Sequence, residues 1–284
     1  MKKIISALLL FSLLLSFTQC NTHTKSDKQY LLKMRLAKGD KFSQNTTMDV
    51  EMDFMNMKMK MEMYADFEVL DSTPAGKELK MTYRKSNFKM DMGGIGGDKK
   101  SDSLLNRSNS KIEGKSVILV FSDNKVTDVK GFEAVRDTSN TDSVMNQELK
   151  KMFSKENLNS MFGTLFSLYP NKMVREGDSW TAENNMDIMG TIMAVKNKYT
   201  FLNVQDGIAE IAIEGTINTN GQVMTGGAKK IDMEMDGLLN GKMYIKLSDG
   251  YLKNGNYDMK VDAKVGMMGQ KMPVKIKATC TFKG

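Results

Sequence analysis

The chain has 284 residues, 27 of them methionine, with two cysteines, one tryptophan and one histidine. Its formal charge of +7 comes from 41 basic and 34 acidic residues interspersed along the sequence, which excludes the clustered basic footprint of a nucleic-acid binder. The single histidine, His23, lies in a polar stretch near the N-terminus. This excludes a histidine-dependent nucleophile, a His-ligated zinc and a histidine general base in the folded body. The chain is therefore expected to be no enzyme, to hold no metal and to need no cofactor.

In chain order, Lys2 and Lys3 precede an apolar run over residues 4–17, which ends at Gln19-Cys20 and gives way to the polar residues 21–28. This is the pattern of a secretory signal over residues 1–19, and the run is shorter than the ~20 residues a spanning helix needs. The cysteine closing the run resembles the lipobox of bacterial lipoproteins, in the loosened form Phe17-Thr18-Gln19-Cys20 that is similar to lipoproteins of the Bacteroidetes. That resemblance implies cleavage before Cys20, acylation of its thiol, a tether over 20–29 and lipid anchoring to the outer membrane. The periplasmic face is expected, because no acidic run follows Cys20. Acylation leaves Cys280 without a disulfide partner. Its strand-like setting among Met272, Val274, Ile276, Ala278 and Phe282 predicts a buried, inert thiol.

Residues 30–136 read as a first β half. Met48, Val50, Met52 and Phe54 alternate with acidic residues, and from Met55 the parity reverses, with Met57, Met59, Met61 and Met63 apolar. A single long strand with a bulge near Phe54-Met55 is predicted. At ~3.3 Å per residue it would span roughly 50 Å, which demands a twisted, curling sheet. The Gly-, Ser- and Lys-rich residues 93–110 read as a loop, and 117–131 as a strand pair.

Residues 137–170 change to helical period. Val144, Met145, Leu149, Met152 and Phe153 predict one amphipathic helix. Leu158, Met161, Phe162, Leu165, Phe166 and Tyr169 predict a second, stopped by Pro170. Residues 171–284 form a second β half, with strands over 208–213, 243–247, 259–265 and 272–282. Turns are predicted at Asp206-Gly207, Asn220-Gly221, Asp249-Gly250 and Asn254-Gly255. A weak internal repeat links the halves. Gly39-Asp40-Lys41-Phe42 corresponds to Gly177-Asp178-Ser179-Trp180, and Gly114-Lys115 to Gly241-Lys242. The expected fold is mainly β (α+β): a curved antiparallel sheet or half-barrel from two similar halves, with a small helical insert.

Methionine is the compositional outlier. Thioethers select copper(I), but along one strand face Met57, Met59, Met61 and Met63 stand about 7 Å apart, too far for neighbours to chelate well. Polarisable core filler is the plainer reading. A flexible apolar lining also suits a cavity for lipid or another apolar ligand, lined by Met57, Met59, Met61, Met63, Val261, Val274 and Ile276. The alternative is a structural or protein-interaction lipoprotein with a closed core and an unidentified protein partner. Trp180 and Phe42, at equivalent places in the repeat, are expected to begin strands and plug the core.

The relaxed lipobox, Pro170 and Val174 ahead of Gly177-Asp178-Ser179-Trp180, and Leu36-Ala37-Lys38-Gly39-Asp40-Lys41-Phe42 resemble an uncharacterised family of Bacteroidetes lipoproteins. The resemblance implies envelope anchoring and brings no activity with it. The inferred architecture also looks like the curved-sheet lipoprotein carriers and sensors that hold acyl chains. Asp71-Ser72-Thr73, Asp102-Ser103-Leu104 and Asp142-Ser143-Val144 resemble the Asp-Ser/Thr-apolar acceptor of O-glycosylation in that phylum, which implies Ser72, Ser103 and Ser143 as acceptors.

Overall fold

The computed structural model describes residues 28–53, 56–74, 76–91, 113–122, 125–131, 166–170, 172–188, 191–224, 230–267 and 270–284. Most of them lie in strands, in the order β1 (Tyr30–Leu31), β2 (Lys41–Met52), β3 (Met57–Thr73), β4 (Gly76–Asp91), β5 (Ser116–Ser122) and β6 (Lys125–Lys130). Then follow β7 (Met173–Val174), β8 (Ser179–Ile188), β9 (Thr191–Gln205), β10 (Ile208–Met224), β11 (Lys230–Lys246), β12 (Leu252–Met267) and β13 (Gln270–Lys283).

Strands β2–β6 and β8–β13 make one antiparallel sheet ordered β6-β5-β4-β3-β2-β13-β12-β11-β10-β9-β8, while β1 pairs separately with β7. The chain meanders outward from β2 to one edge at β6, restarts at the other edge with β8, and meanders back until β13 lies beside β2. Within this sheet, only the β2–β13 pairing among the described residues, with Val50 opposite Ala278 and Met48 opposite Cys280, joins strands distant in sequence. Strands of 14 to 17 residues are long enough for their inherent twist to curl the sheet. The curl is visible in its contacts: Phe121 of β5 meets Phe166, and Phe201 of β9 meets Tyr30, within one core cluster shared by both flanks.

Two short segments cross the inner face and seal one end. Leu32, Met34 and Leu36 of the first, and Phe166, Leu168, Tyr169 and Val174 of the second, are all buried. The Tyr169 hydroxyl donates to the Gly250 carbonyl at 2.6 Å, the Arg35 N–H to the Asp249 carbonyl at 2.6 Å and the Ser72 hydroxyl to the Leu36 carbonyl at 2.7 Å. Around these straps lie Phe67, Val69, Leu79, Met81, Val117, Leu119, Phe201, Ile211 and Ile245.

Where sequence pattern and structure part, the reasons are physical. Residues 48–52 and 57–63 pair as antiparallel strands of β2 and β3 instead of continuing one strand, with Met52 opposite Met57 and Met48 opposite Met61, while Phe54-Met55 lies outside the described residues. In this register an even residue always faces an odd one, so the parity reversal comes from the change of direction. Asn56 takes the turn with φ of 48° and donates its N–H to the Asp53 carbonyl. The β3–β4 pair carries two register shifts, one between Val69 and Asp71 and one between Tyr64 and Ala65, where the extra residue is in β4. There inward Leu79, Met81 and Tyr83 give way to Ser86, Phe88 and Met90.

Asn220-Gly221 and Asn254-Gly255 lie inside β10 and β12 rather than in turns, because ladder pairing over a long strand overrides local turn preference. Asp206-Gly207 and Asp249-Gly250 do fall at chain reversals, with positive φ at Asp206, Gly207 and Gly250. The predicted helical insert is not supported: no helical element is among the described residues. Residues 137–165 lie outside them, and 166–170 form a buried turn closed by the Tyr169 N–H on the Phe166 carbonyl. Apolar spacing of three and four there is used, at Phe166 and Tyr169, to plug the sheet.

The paired Gly-Asp segments carry the same hydrogen bonds. Asp40 accepts from the Ala37 N–H and Asp178 from the Arg175 N–H, both at 2.8 Å. Gly39 donates to Val69 and Gly177 to Phe201, while Val69 and Phe201 donate back to Asp40 and Asp178. Gly39 and Gly177 have φ of 92° and 87°, a conformation that disfavours a side chain. Gly114 and Gly241 share no such setting, since the first has positive φ ahead of β5 and the second lies within β11.

Candidate functional site: the methionine end of the inner face

The inner face changes character along the strands. At the strapped end its side chains are sealed, with Leu32 at 1 % exposure and Phe201 at 0 %. Beyond the straps, β2, β3 and β4 present Met48, Met52, Met57, Met59, Met61, Met63, Phe88 and Met90 on the same face, each only partly buried. Their cross-strand pairing is regular: Met52 with Met57, Val50 with Met59 and Met48 with Met61, then Met59 with Met90 and Met61 with Phe88. On the other side of β2, Ile276 faces Met52, Val261 faces Ile276 and Ala263 faces Val274. Met272 stands at the rim, 38 % exposed.

The sequence-derived lining residues are thus brought to one face. Met63 packs against the sealed core, Val274 is buried, and Met57, Met59, Met61, Val261 and Ile276 are partly exposed. Of the predicted glycosylation acceptors, Ser72 is the penultimate residue of β3, opposite Lys77, and its hydroxyl donates to the Leu36 carbonyl. Ser103, Ser143 and Cys20 lie outside the described residues. Among the described residues, no group of three or more His, Cys, Asp or Glu side chains is placed to hold a metal. Trp180 begins β8 and stacks on Tyr199 with ring centres 5.6 Å apart. Its counterpart Phe42 stacks between Phe67 and Tyr251, at 4.8 and 4.5 Å.

Where the sealed end meets the methionine end, the inner face carries a polar network. The Asn197 amide Nδ2 donates to the Tyr199 hydroxyl at 3.2 Å, and that hydroxyl lies 3.1 Å from the Ser167 hydroxyl. Trp180 Nε1 donates to the Ser167 carbonyl, and Asn184 Nδ2 to the Ser167 hydroxyl. Asn197 is 3 % exposed, and its Oδ1 has no partner. Leaving a buried amide oxygen unpaired costs about 1–3 kcal/mol. The oxygen occupies space that Gly215, its ladder neighbour, leaves open: a Cβ there would collide with it. Gly215 itself is partly exposed.

Sequence reasoning missed this group, although inward parity places Asn197 between Val195 and Tyr199. It also missed the inward glycines of β11 and β12. Gly241 makes room for Tyr257 and Gly255 for the Met243 sulfur. Beside them, burial raises the pKa of Tyr257 well above its ordinary range, with the neighbouring Cys280 adding to the shift. The same burial pushes the Cys280 thiol up to about 11, against a lowering hydrogen bond with Tyr257.

Residues 74–252 match the model of a family of unknown function, DUF6263. No curated protein matches. Among solved structures, a lipovitellin described for its lipid–protein interactions is 10 % identical, with a TM-score of 0.45 over 88 % of this chain and 25 % of that one. The β domain of the Bordetella autotransporter Brka is 6 % identical, with a TM-score of 0.22 over 87 % of this chain and 100 % of that one. The chain thus spans a quarter of the lipovitellin chain's length; both likenesses are distant.

Proposed function

The chain belongs to DUF6263, a family of unknown function, and we propose that it is a non-catalytic envelope lipoprotein that holds a lipid or other apolar ligand on the methionine end of its inner face. The observation that carries this reading is the split of one continuous inner face into a sealed end and a partly exposed end made of methionine and aliphatic side chains. A protein whose sheet only closed on a dry core would bury the second end like the first. A contiguous apolar surface left open is characteristic of binding sites, and unbranched thioether side chains adapt to ligands of varied shape.

In this reading the lipid on Cys20 anchors the protein to the outer membrane, with the folded body on the periplasmic side. The matching Gly-Asp turns support descent of the two sheet halves from one duplicated unit. A second reading, soft-metal binding, is favoured by one specific observation: Met48 with Met61 and Met52 with Met57 are cross-strand pairs, whose Cβ atoms stand about 4.5–5.5 Å apart. That is closer than the along-strand spacing that counts against chelation.

Native mass spectrometry of the protein purified from its own envelope and stripped of detergent tests both. The lipid reading expects a non-covalent adduct in the mass range of a lipid, lost on unfolding. A stoichiometric copper(I) adduct in its place would promote the metal reading, and neither adduct would favour a closed structural protein.

A further inference from the structure

We infer that the ligand of this concavity is an amphiphile with a hydrogen-bond-donating head, a neutral hydroxyl compound in its simplest form, and that Asn197 Oδ1 is the acceptor anchoring that head. The inference rests on the apolar-ligand reading and adds to it the polarity and orientation of the ligand. Three observations support it. Asn197 is an inward residue of β9, nine-tenths buried or more, with its amide nitrogen committed to Tyr199 and its oxygen bare. The oxygen lies against the Cα of Gly215, where a Cβ would collide with it, and Gly215 is itself partly exposed. Apart from the Tyr199–Ser167 network, the neighbours are apolar: Val195, Ile217 and Leu239 flank the amide, and Met259 lies opposite Leu239 on the same face.

An apolar tail lying on the methionine surface brings its head to the boundary where the straps seal the sheet. The only unmet polar demand among the described buried side chains lies there. A buried acceptor selects for a donor, because a ligand lacking one leaves the oxygen as unsatisfied as before while losing its own hydration. The Tyr199 hydroxyl already bonds both the Ser167 hydroxyl and the Asn197 amide nitrogen, so it holds the amide in place.

The test is a matched pair of probes, 1-dodecanol and its methyl ether, which share a chain and differ in one donor. Each displaces an environment-sensitive apolar dye from the purified mature chain. The expected result is displacement by the alcohol at roughly five- to tenfold lower concentration, a preference that disappears in Asn197→Leu while the ether is unaffected or improved. Gly215→Ala, which places a methyl group against the oxygen, is expected to reduce the same preference and guards against misfolding of the first variant; thermal melts establish that both are folded. Equal displacement by the two probes in the unaltered protein, or a preference that survives in both folded variants, overturns the anchor and leaves the apolar site standing. Displacement by neither probe, or no dye binding at all, overturns the apolar-ligand reading and the anchor with it.

Discussion

Cys280 shows how one residue's chemistry is set by the face it occupies. It is an inward residue of β13, 1 % exposed, packed beside Tyr257 and opposite Met48. Burial disfavours the thiolate and carries its pKa up to about 11, so at neutral pH it is a small apolar group. Iodoacetamide is expected to leave the Cys280 peptide unmodified in the native protein at pH 8 and to modify it on unfolding; native labelling at the rate of a free thiol would contradict its burial. Because the folded pKa lies above the ordinary thiol value, its contribution to stability is complete below about pH 9 and lost as pH rises toward 11. Tyr83, Tyr169 and Tyr257, raised mainly by burial, act in the same direction at higher pH. The melting temperature should therefore fall on the alkaline side.

At the scale of elements, the straps and the methionine hairpin have opposite energetic roles. Leu32, sealed under the sheet, should cost about 2–5 kcal/mol when replaced by Ala, from lost burial plus an unfilled cavity. Met59 stands partly exposed on the open end, so Met59→Ala should cost well under half of that. Urea titration of the two variants measures the difference, and equal costs would mean the two ends are packed alike. The inward parity of this hairpin was legible from sequence, because period-two alternation survives in any register. The reversal between β2 and β3 was not, since no Gly or Pro marks it and the methionine pattern runs through on both sides. Inward glycines were illegible for the converse reason: Gly255 after Asn254 has the composition of a turn, and only the Met243 side chain lying over it explains its place inside a strand.

For the whole molecule, the decisive event is closure of β13 on β2. Every other pairing in the eleven-stranded sheet is a step between consecutive strands, cheap in loop entropy; this one fuses two meanders into a single curved surface whose edges among the described residues are β6 and β8. A mainly β, curved architecture followed from strand length and twist, but nothing local in the sequence identified which strands meet. The sealed and open ends arise from that closure, since it aligns Met52 with Ile276 and Met48 with Cys280 and makes one inner face of both halves. The exposed outer face carries Lys–Glu pairs such as Lys196–Glu183 at 2.7 Å and Lys242–Glu210 at 2.7 Å. Such exposed pairs add about 0–1 kcal/mol each and serve solubility more than stability.

The most direct measurement is photolabelling with a diazirine-bearing fatty probe, read residue by residue by mass spectrometry. Labels are expected on Met57, Met59, Met61 and Ile276 and none on Lys58, Lys60 and Lys275, their outward neighbours. Labels on the outward residues, or labelling unchanged by excess unlabelled lipid, would contradict a ligand held on the methionine end of the inner face.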